Sequence, residues 1–503
     1  MTTMLGPMRR AIQVGGTRTA VTCGETRLTY AQTWDRCRRL VGALRSLGLG
    51  EGDRVAVVGP NCHRYLELYQ AVPGAGMTIV PLNHRHTAVE LRYAIEDSGA
   101  KALFTGIGAE GLADSVDHVV DLGDDYEALL ALANPAEPPE DLADDQLAGL
   151  FYTGGTTGAA KGVMLSHRNL VANATHFAMC WPFTADTRWL IVAPLFHAAG
   201  SIAVLATVWN AGEQVILPAF DPAQALNLIE ANGITATLVV PTMLAAMSEE
   251  QRTRPRDVST LRYLSHGGSP CATETLTRAR AAFPDAELLH IYGATETAPI
   301  ATLMPHEERL LDTPRARSCG QPAVGVDVVV LGADGGRQST GEVGELMVRG
   351  PNVMLGYWHK PAETAAALVG HWYRTGDVGY QDDEGFVYLV DRAKDMIVTG
   401  GENVYSTEVE DALYRHPAVL EAAVFGVPDA QWGEAVYAVV VPRSAVAADE
   451  LVAHCRSLIA GYKVPKAIEM RSEPLPKSAA GKVLKRQLRE PHWEGAGARV
   501  AGA

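Results

Sequence analysis

Strand-like and helix-like stretches alternate through the first third of the chain, and that alternation constrains the fold more than any other feature. Thr29 is placed to N-cap a helix in TYAQTWDRCRRLVGALRSLG, where Leu40, Val41 and Leu44 recur at helical spacing. The turn GLGEGD ends it, and RVAVVGPN (Arg54 to Asn61) reads as a buried strand. A helix over Arg64 to Gly74 and a strand in MTIVPLN (Met77 to Asn83) follow. Strands joined through helices of this length predict parallel sheets covered on both faces, an α/β fold.

Farther along, the Pro-rich NPAEPPEDLADD (Asn134 to Asp145) reads as a linker or surface loop between two such regions, the second running from Gly149 to about Thr297. Short, Gly-punctuated strands from about Cys319 to Val390 predict a β-rich subdomain. Beyond Lys394 helix and strand signals alternate again, and a small α+β domain of roughly a hundred residues is expected there. The expected division is 1–392 and 393–503, with a frayed tail from Gly497.

Bulk composition excludes several classes. The 503 residues suit two to four domains, and 47% hydrophobic with 20% charged residues is ordinary for a globular enzyme. With 43 Lys+Arg against 58 Asp+Glu the formal charge is -15, a poor match for nucleic acid, whose binding relies on basic residues at phosphates. The seven cysteines are scattered and form no CxxC pair, so neither a disulfide framework nor a zinc site is indicated. No apolar run follows the basic residues near the N-terminus, which argues against a signal peptide. Ile191 to Trp209 is uncharged and long enough to span a bilayer, but Pro194, His197, Gly200 and Ser201 interrupt its first half. A buried loop and core helix is the expectation, and a cytoplasmic location with it.

The richest stretch chemically is YTGGTTGAAKGVMLSH (Tyr152 to His167). Gly154, Gly155 and Gly158 let backbone N–H groups turn toward an anion without a Cβ in the way. Thr153, Thr156 and Thr157 add hydroxyl donors, and Lys161 adds a positive charge. The spacing is not that of a Walker A loop.

Downstream stand IYGATET (Ile291 to Thr297), WYRTGDVG (Trp372 to Gly379), DRAKDMIVTGGENVYSTEVE (Asp391 to Glu410) and LPKSAAGKVLKRQL (Leu475 to Leu488). In identity, order and spacing the set resembles the adenylate-forming superfamily: acyl- and aryl-CoA synthetases, nonribosomal adenylation domains and firefly-type luciferases. The resemblance extends from about Leu28 to Leu488. Two departures are mild: Gly154 stands where the family has Ser, and Ala160 where it has Pro.

The resemblance implies an acid–thiol ligase that uses ATP, Mg²⁺ and coenzyme A (CoA), and it implies roles residue by residue. Lys482 would be the mobile catalytic lysine, bridging the attacking carboxylate and the α-phosphate. Thr295 would meet the α-phosphate, Glu296 the Mg²⁺ ion and Tyr292 the adenine. Gly267, Gly268 and Gly293 would line the nucleotide site, with Asp377 and Arg392 at the ribose. Lys394 would be the hinge about which the C-terminal domain rotates, and Gly400 and Gly401 would line a tunnel for pantetheine.

His197, by itself an ordinary core histidine, would lie beside the acyl carbonyl. Segments around His197 to Val208, Val240 to Met243, His266 to Ser269 and Ala298 to Ile300 would form the acyl pocket, His266, Ser269 and Ala298 included. Their small or apolar character favours an uncharged tail. His266 either reads a polar substrate feature or is bonded to backbone. Arg262 is the nearest cation to these segments, and its direction is open. A carrier-protein phosphopantetheine is the alternative acceptor, and self-association into a homo-oligomer stays open. An oxygenase and a degenerate nucleotide-binding protein are the remaining alternatives; Lys161, Glu296, Asp377, Arg392 and Lys482 together speak against the last.

Overall fold

The computed structural model describes residues 3–153, 160–269, 271, 273–305, 313–332, 334–392, 395–400, 402–429, 431–477 and 483–493. Two large sheets carry the first part of the chain. One runs, edge to edge, through Gly356–Tyr357, Lys161–Ser166, Leu147–Thr153, Thr78–Leu82, Arg54–Val58, Ala100–Thr105 and His118–Asp121. The other runs through Gln321–Pro322, Thr302–Pro305, Glu287–Tyr292, Tyr263–Gly267, Ala236–Val239, Arg188–Ile191, Glu213–Ile216, Thr19–Cys23 and Thr26–Thr29. Their central strands pair in parallel, as alternation with helices requires. Three of the four edges are antiparallel, a departure from the sequence expectation, while His118–Asp121 pairs in parallel.

Local chemistry sets the helix starts. Thr29 caps Tyr30–Ser46 through a reciprocal capping box with Gln32. Ser166 and Asn169 do the same for His167–Cys180. Asp221 accepts from Gln224 N with Pro222 in the first turn of Pro222–Asn232, and Gly233 ends that helix at φ +59°. The expected elements in the first third are present with small shifts: the strand is Arg54–Val58, the helix His63–Gly74 and the next strand Thr78–Leu82.

The division at the Pro-rich loop fails in one respect. Leu147–Thr153 and Lys161–Ser166, after the loop, join the sheet formed before it, while Thr19–Cys23 pairs with Glu213–Ile216 in the other. Strand pairing over such separations leaves no local trace in composition or periodicity. Likewise Gln321–Pro322 and Gly356–Tyr357, inside the expected β-rich subdomain, edge the two large sheets. The rest of that stretch forms the antiparallel sheet of Asp327–Leu331, Gly344–Arg349, Leu368–Val369, Trp372–Gln381 and Val387–Arg392.

The last sheet comprises Ile397–Thr399, Glu402–Val404, Val419–Asp429, Gly433–Pro442 and Ala467–Met470, over an apolar core of its own that includes Val409, Leu413, Val424 and Leu451. The segment Ile191 to Trp209 is the end of a strand, a turn, and the buried helix Ala198–Trp209. No helix among the described residues is long and apolar enough to cross a membrane.

Candidate active site

The C-terminal ends of two paired parallel strands carry Gly267 and Tyr292, and antiparallel strands carry Lys161, Asp377 and Arg392. Glu287–Tyr292 delivers Tyr292 and runs into a tight 3₁₀ turn, Thr295–Thr297, which Thr297 Oγ1 closes by accepting from Ala294 N at 3.0 Å. Gly293 is required there, since a Cβ would sit 2.0 Å from the carbonyl oxygen of Pro299. Gly267, at the end of the neighbouring strand, is equally constrained: its Cβ would lie 2.3 Å from the Ile291 carbonyl. Gly268, at φ +82°, turns the chain away and leaves Ser269 half-buried. Ala298 is fully buried.

Two carboxylates sit within a group of three tyrosines. Tyr292 donates its hydroxyl to Asp377 Oδ2 at 2.8 Å, and Tyr357 donates to Glu296 Oε1 at 2.8 Å. Tyr373 is hydrogen-bonded to Tyr357 and lies in the field of both Glu296 and Asp377. Burial first, then these carboxylates, pushes all three phenols above their ordinary value, so they stay protonated and donate. Lys161 Nζ lies 5.1 Å from the centre of the Tyr357 ring, which places a cation at the edge of the group.

Asp377 is buried, and its backbone N–H donates to Thr375 Oγ1 at 3.0 Å. Arg392 stands opposite it in the strand ladder. Thr153 pairs with Lys161 in the antiparallel strands on either side of residues 154–159. Gly154, Gly155, Thr156, Thr157 and Gly158 lie outside the described residues, as do Lys394, Gly401 and Lys482. Gly400 is described, at φ +60° with a Cβ position 2.7 Å from the Trp432 ring, so a side chain is excluded there.

His197 directly precedes the helix Ala198–Trp209. Burial, then Arg85 and His86, lowers its pKa to about 4, so the ring is neutral near pH 7. Its Nε2 is buried and has no hydrogen-bond partner among the described residues. His266 is fully buried and stacks on His290, ring centres 4.9 Å apart and planes 9° apart.

Sequence reasoning missed Tyr357 and Asn352. Tyr357 comes from the two-residue edge strand beside Lys161. Asn352 Nδ2 donates to the carbonyls of Thr297 at 2.8 Å and Ile300 at 2.5 Å, tying down the segment after Glu296. The aromatic pair in LGYWHK was a visible signal for Tyr357, but only tertiary pairing aims it at Glu296. Tyr373 lay within a quoted motif with no role attached.

A cation, paired acceptors and close backbone approaches at the ends of parallel strands suit an anionic nucleotide. The family model for AMP-binding enzymes matches residues 8–358, and that for the C-terminal domain of AMP-binding enzymes matches 408–482.

The chain belongs to the AMP-binding enzymes.

It is 40% identical to a feruloyl-CoA synthase of Amycolatopsis sp over 96% of this chain and 97% of that protein. It is 37% identical to the fatty acid–[acyl-carrier-protein] ligase ScoC of Streptomyces coeruleorubidus, over 95% of this chain and 94% of that one. Among solved structures, ATP-bound MatB from Rhodopseudomonas palustris superposes on this AMP-binding enzyme with a TM-score of 0.90 at 31% identity, covering 98% and 99% of the two chains.

Proposed function

We propose that this enzyme activates a carboxylic acid with an uncharged, largely apolar tail and that one site serves both half-reactions. The class of chemistry is ATP-dependent acid–CoA ligation. The acid's carboxylate attacks the α-phosphorus of ATP, releasing pyrophosphate and leaving acyl-AMP. The CoA thiol then displaces AMP to give the acyl-CoA.

The observation that carries the reading is the pair of carboxylates, Glu296 and Asp377, hydrogen-bonded by tyrosines with Lys161 alongside. Asp377 suits the ribose hydroxyls, since a carboxylate only accepts and a diol can donate twice. Lys161 and Thr153, with the loop between them, suit the triphosphate.

Among the described residues no group of three or more His, Cys, Asp or Glu gathers to hold a metal ion. One carboxylate is what Mg²⁺ needs when phosphate oxygens and water complete its shell, so Glu296 fits the ion's remaining protein ligand. When bound it supplies neutralisation of the phosphate charge. Lys482 would bring the attacking carboxylate to the α-phosphate. Rotation about Lys394, between a domain ending at 392 and one beginning at 393, would then exchange that lysine for the face bearing Gly400 and Gly401. A cytoplasmic location fits the supply of both ATP and CoA.

The lining near Ala298 and Ile300 is apolar, and the kinship with a feruloyl-CoA synthase makes an aryl-propenoic acid the first to try. A pyrophosphate-release screen over ferulate, fatty, alicyclic and dicarboxylic acids, with and without CoA, tests the proposal. Release with an uncharged-tail acid, and CoA-dependent thioester formation from it, is expected. A preference for dicarboxylic acids would refute the apolar pocket, and no release with any acid would refute the whole reading. The likeness to ScoC favours one second reading, a carrier-protein acceptor; faster transfer to a holo-carrier protein than to CoA would establish it.

A further inference from the structure

Asn61 follows the strand Arg54–Val58 of one large sheet and is almost fully buried, yet its carboxamide is spent entirely on the other sheet's chain. Nδ2 donates to the carbonyls of Ala193 at 3.1 Å and Leu217 at 3.4 Å, while Oδ1 accepts from Leu195 N at 2.9 Å. Its backbone N–H donates to Pro218 O at 3.3 Å. One side chain therefore stitches together the segments that continue Arg188–Ile191 and Glu213–Ile216. Tyr69, fully buried, donates its hydroxyl to the carbonyl of Leu195, so both peptide groups of that residue are held.

Two residues later comes His197. The intervening turn is closed by His197 N to Pro194 O at 3.2 Å and Gly200 N to His197 O at 2.8 Å. It has no slack, because a Cβ on Gly200 would lie 2.8 Å from both Leu195 Cα and Pro194 O. At the end of this clamped segment the buried Nε2 of His197 has no hydrogen-bond partner among the described residues. Buried polar atoms are ordinarily hydrogen-bonded, so this one is available to a bound group.

We infer that Asn61 is a positioning residue, acting on the ligase reaction through His197, with Tyr69 as the second tie. The inference rests on the reading that His197 lies beside the acyl carbonyl. Losing the carboxamide frees Leu195 N–H and two carbonyls, and the imidazole shifts relative to the reacting group. Misplacement by about 1 Å at a reacting centre can cost on the order of a hundredfold in rate.

The test is a cycle of Asn61→Ala, Tyr69→Phe, His197→Ala and the two double variants, with pyrophosphate release and thioester formation measured on the best acid from the screen. Asn61→Ala should lower kcat about ten- to a hundredfold with KM for ATP unchanged, and Tyr69→Phe should lower it less. Neither should lower it further in the His197→Ala background. Multiplicative losses in the double variants would overturn the inference, as would wild-type kcat in Asn61→Ala or in Tyr69→Phe. Should Asn61→Ala not fold, the Tyr69→Phe and His197→Ala cycle makes the same comparison. Wild-type turnover in His197→Ala alone would remove the reading of His197 instead, and the two failures are thereby distinct.

Discussion

Acidification should weaken this fold through histidines that are buried uncharged. His167 is fully buried, its Nδ1 accepts from Met4 N at 3.2 Å, and its Nε2 has no partner among the described residues. Burial lowers its pKa to about 4, and that of His197, in its tight turn, to about 4 as well. In the unfolded chain each titrates near the ordinary value of about 6.5. The unfolded state thus binds more protons between these limits, and stability rises with pH across that window. Each histidine's contribution is complete above about pH 6.5 and is lost as the pH falls toward about 4. Integrated from pH 7 to pH 5, the loss is about 2 kcal/mol per ring, approaching about 3 kcal/mol at the acid limit. Urea unfolding at constant ionic strength at pH 7, 6 and 5 measures it, on wild type, His167→Gln and His197→Asn. Each variant, lacking one titrating ring, should lose about 2 kcal/mol less than wild type over that interval. Equal pH dependence in all three proteins would refute the argument that these rings are held neutral.

Three further outcomes concern the nucleotide site. Lys482→Ala should cut acyl-adenylate formation by about a hundredfold or more while thioester formation from preformed acyl-AMP survives; equal loss in both half-reactions would contradict the two-conformation reading. Asp377→Ala should raise KM for ATP about tenfold or more, as expected for lost hydrogen bonds to a charged group, and unchanged ATP affinity would count against the ribose role. Gly267→Ala forces a methyl to within 2.3 Å of the Ile291 carbonyl, so ATP-dependent protection against thermal unfolding should fall, and a wild-type shift would show that the strand ends tolerate separation.

What was legible in the sequence was what local chemistry determines. The cap at Thr29, the strand at Arg54–Val58 and the helix at His63–Gly74 follow from side chains within a few residues of one another. Motif order indicated candidates in the same way, because glycine-rich turns and their polar neighbours are contiguous: Tyr292 is hydrogen-bonded to Asp377, and Tyr373 lies in the field of Glu296 and Asp377. What could not be read was anything set by pairing over long separations. Tyr357 reaches Glu296 only because Gly356–Tyr357 edges the sheet beside Lys161–Ser166, and nothing near residue 357 encodes that neighbour.

The same argument explains why Asn61 was read as the mere end of a strand. Its side-chain hydrogen bonds go to residues 193, 195 and 217, all in segments that continue strands of the opposite sheet, and a buried Asn in a turn has no local signature that separates capping from clamping. Two sheets built largely from different parts of the chain must present their strand ends to one another at a fixed offset if Tyr292 on one and Lys161 on the other are to meet a single nucleotide. Apolar packing between sheets is non-directional and tolerates small slips. A carboxamide reaching three backbone groups is directional and does not. The seam near His197 is therefore where a polar side chain contributes more to alignment than to stability. Asn61→Ala should accordingly cost more in turnover than in unfolding free energy, when the two are compared on one scale.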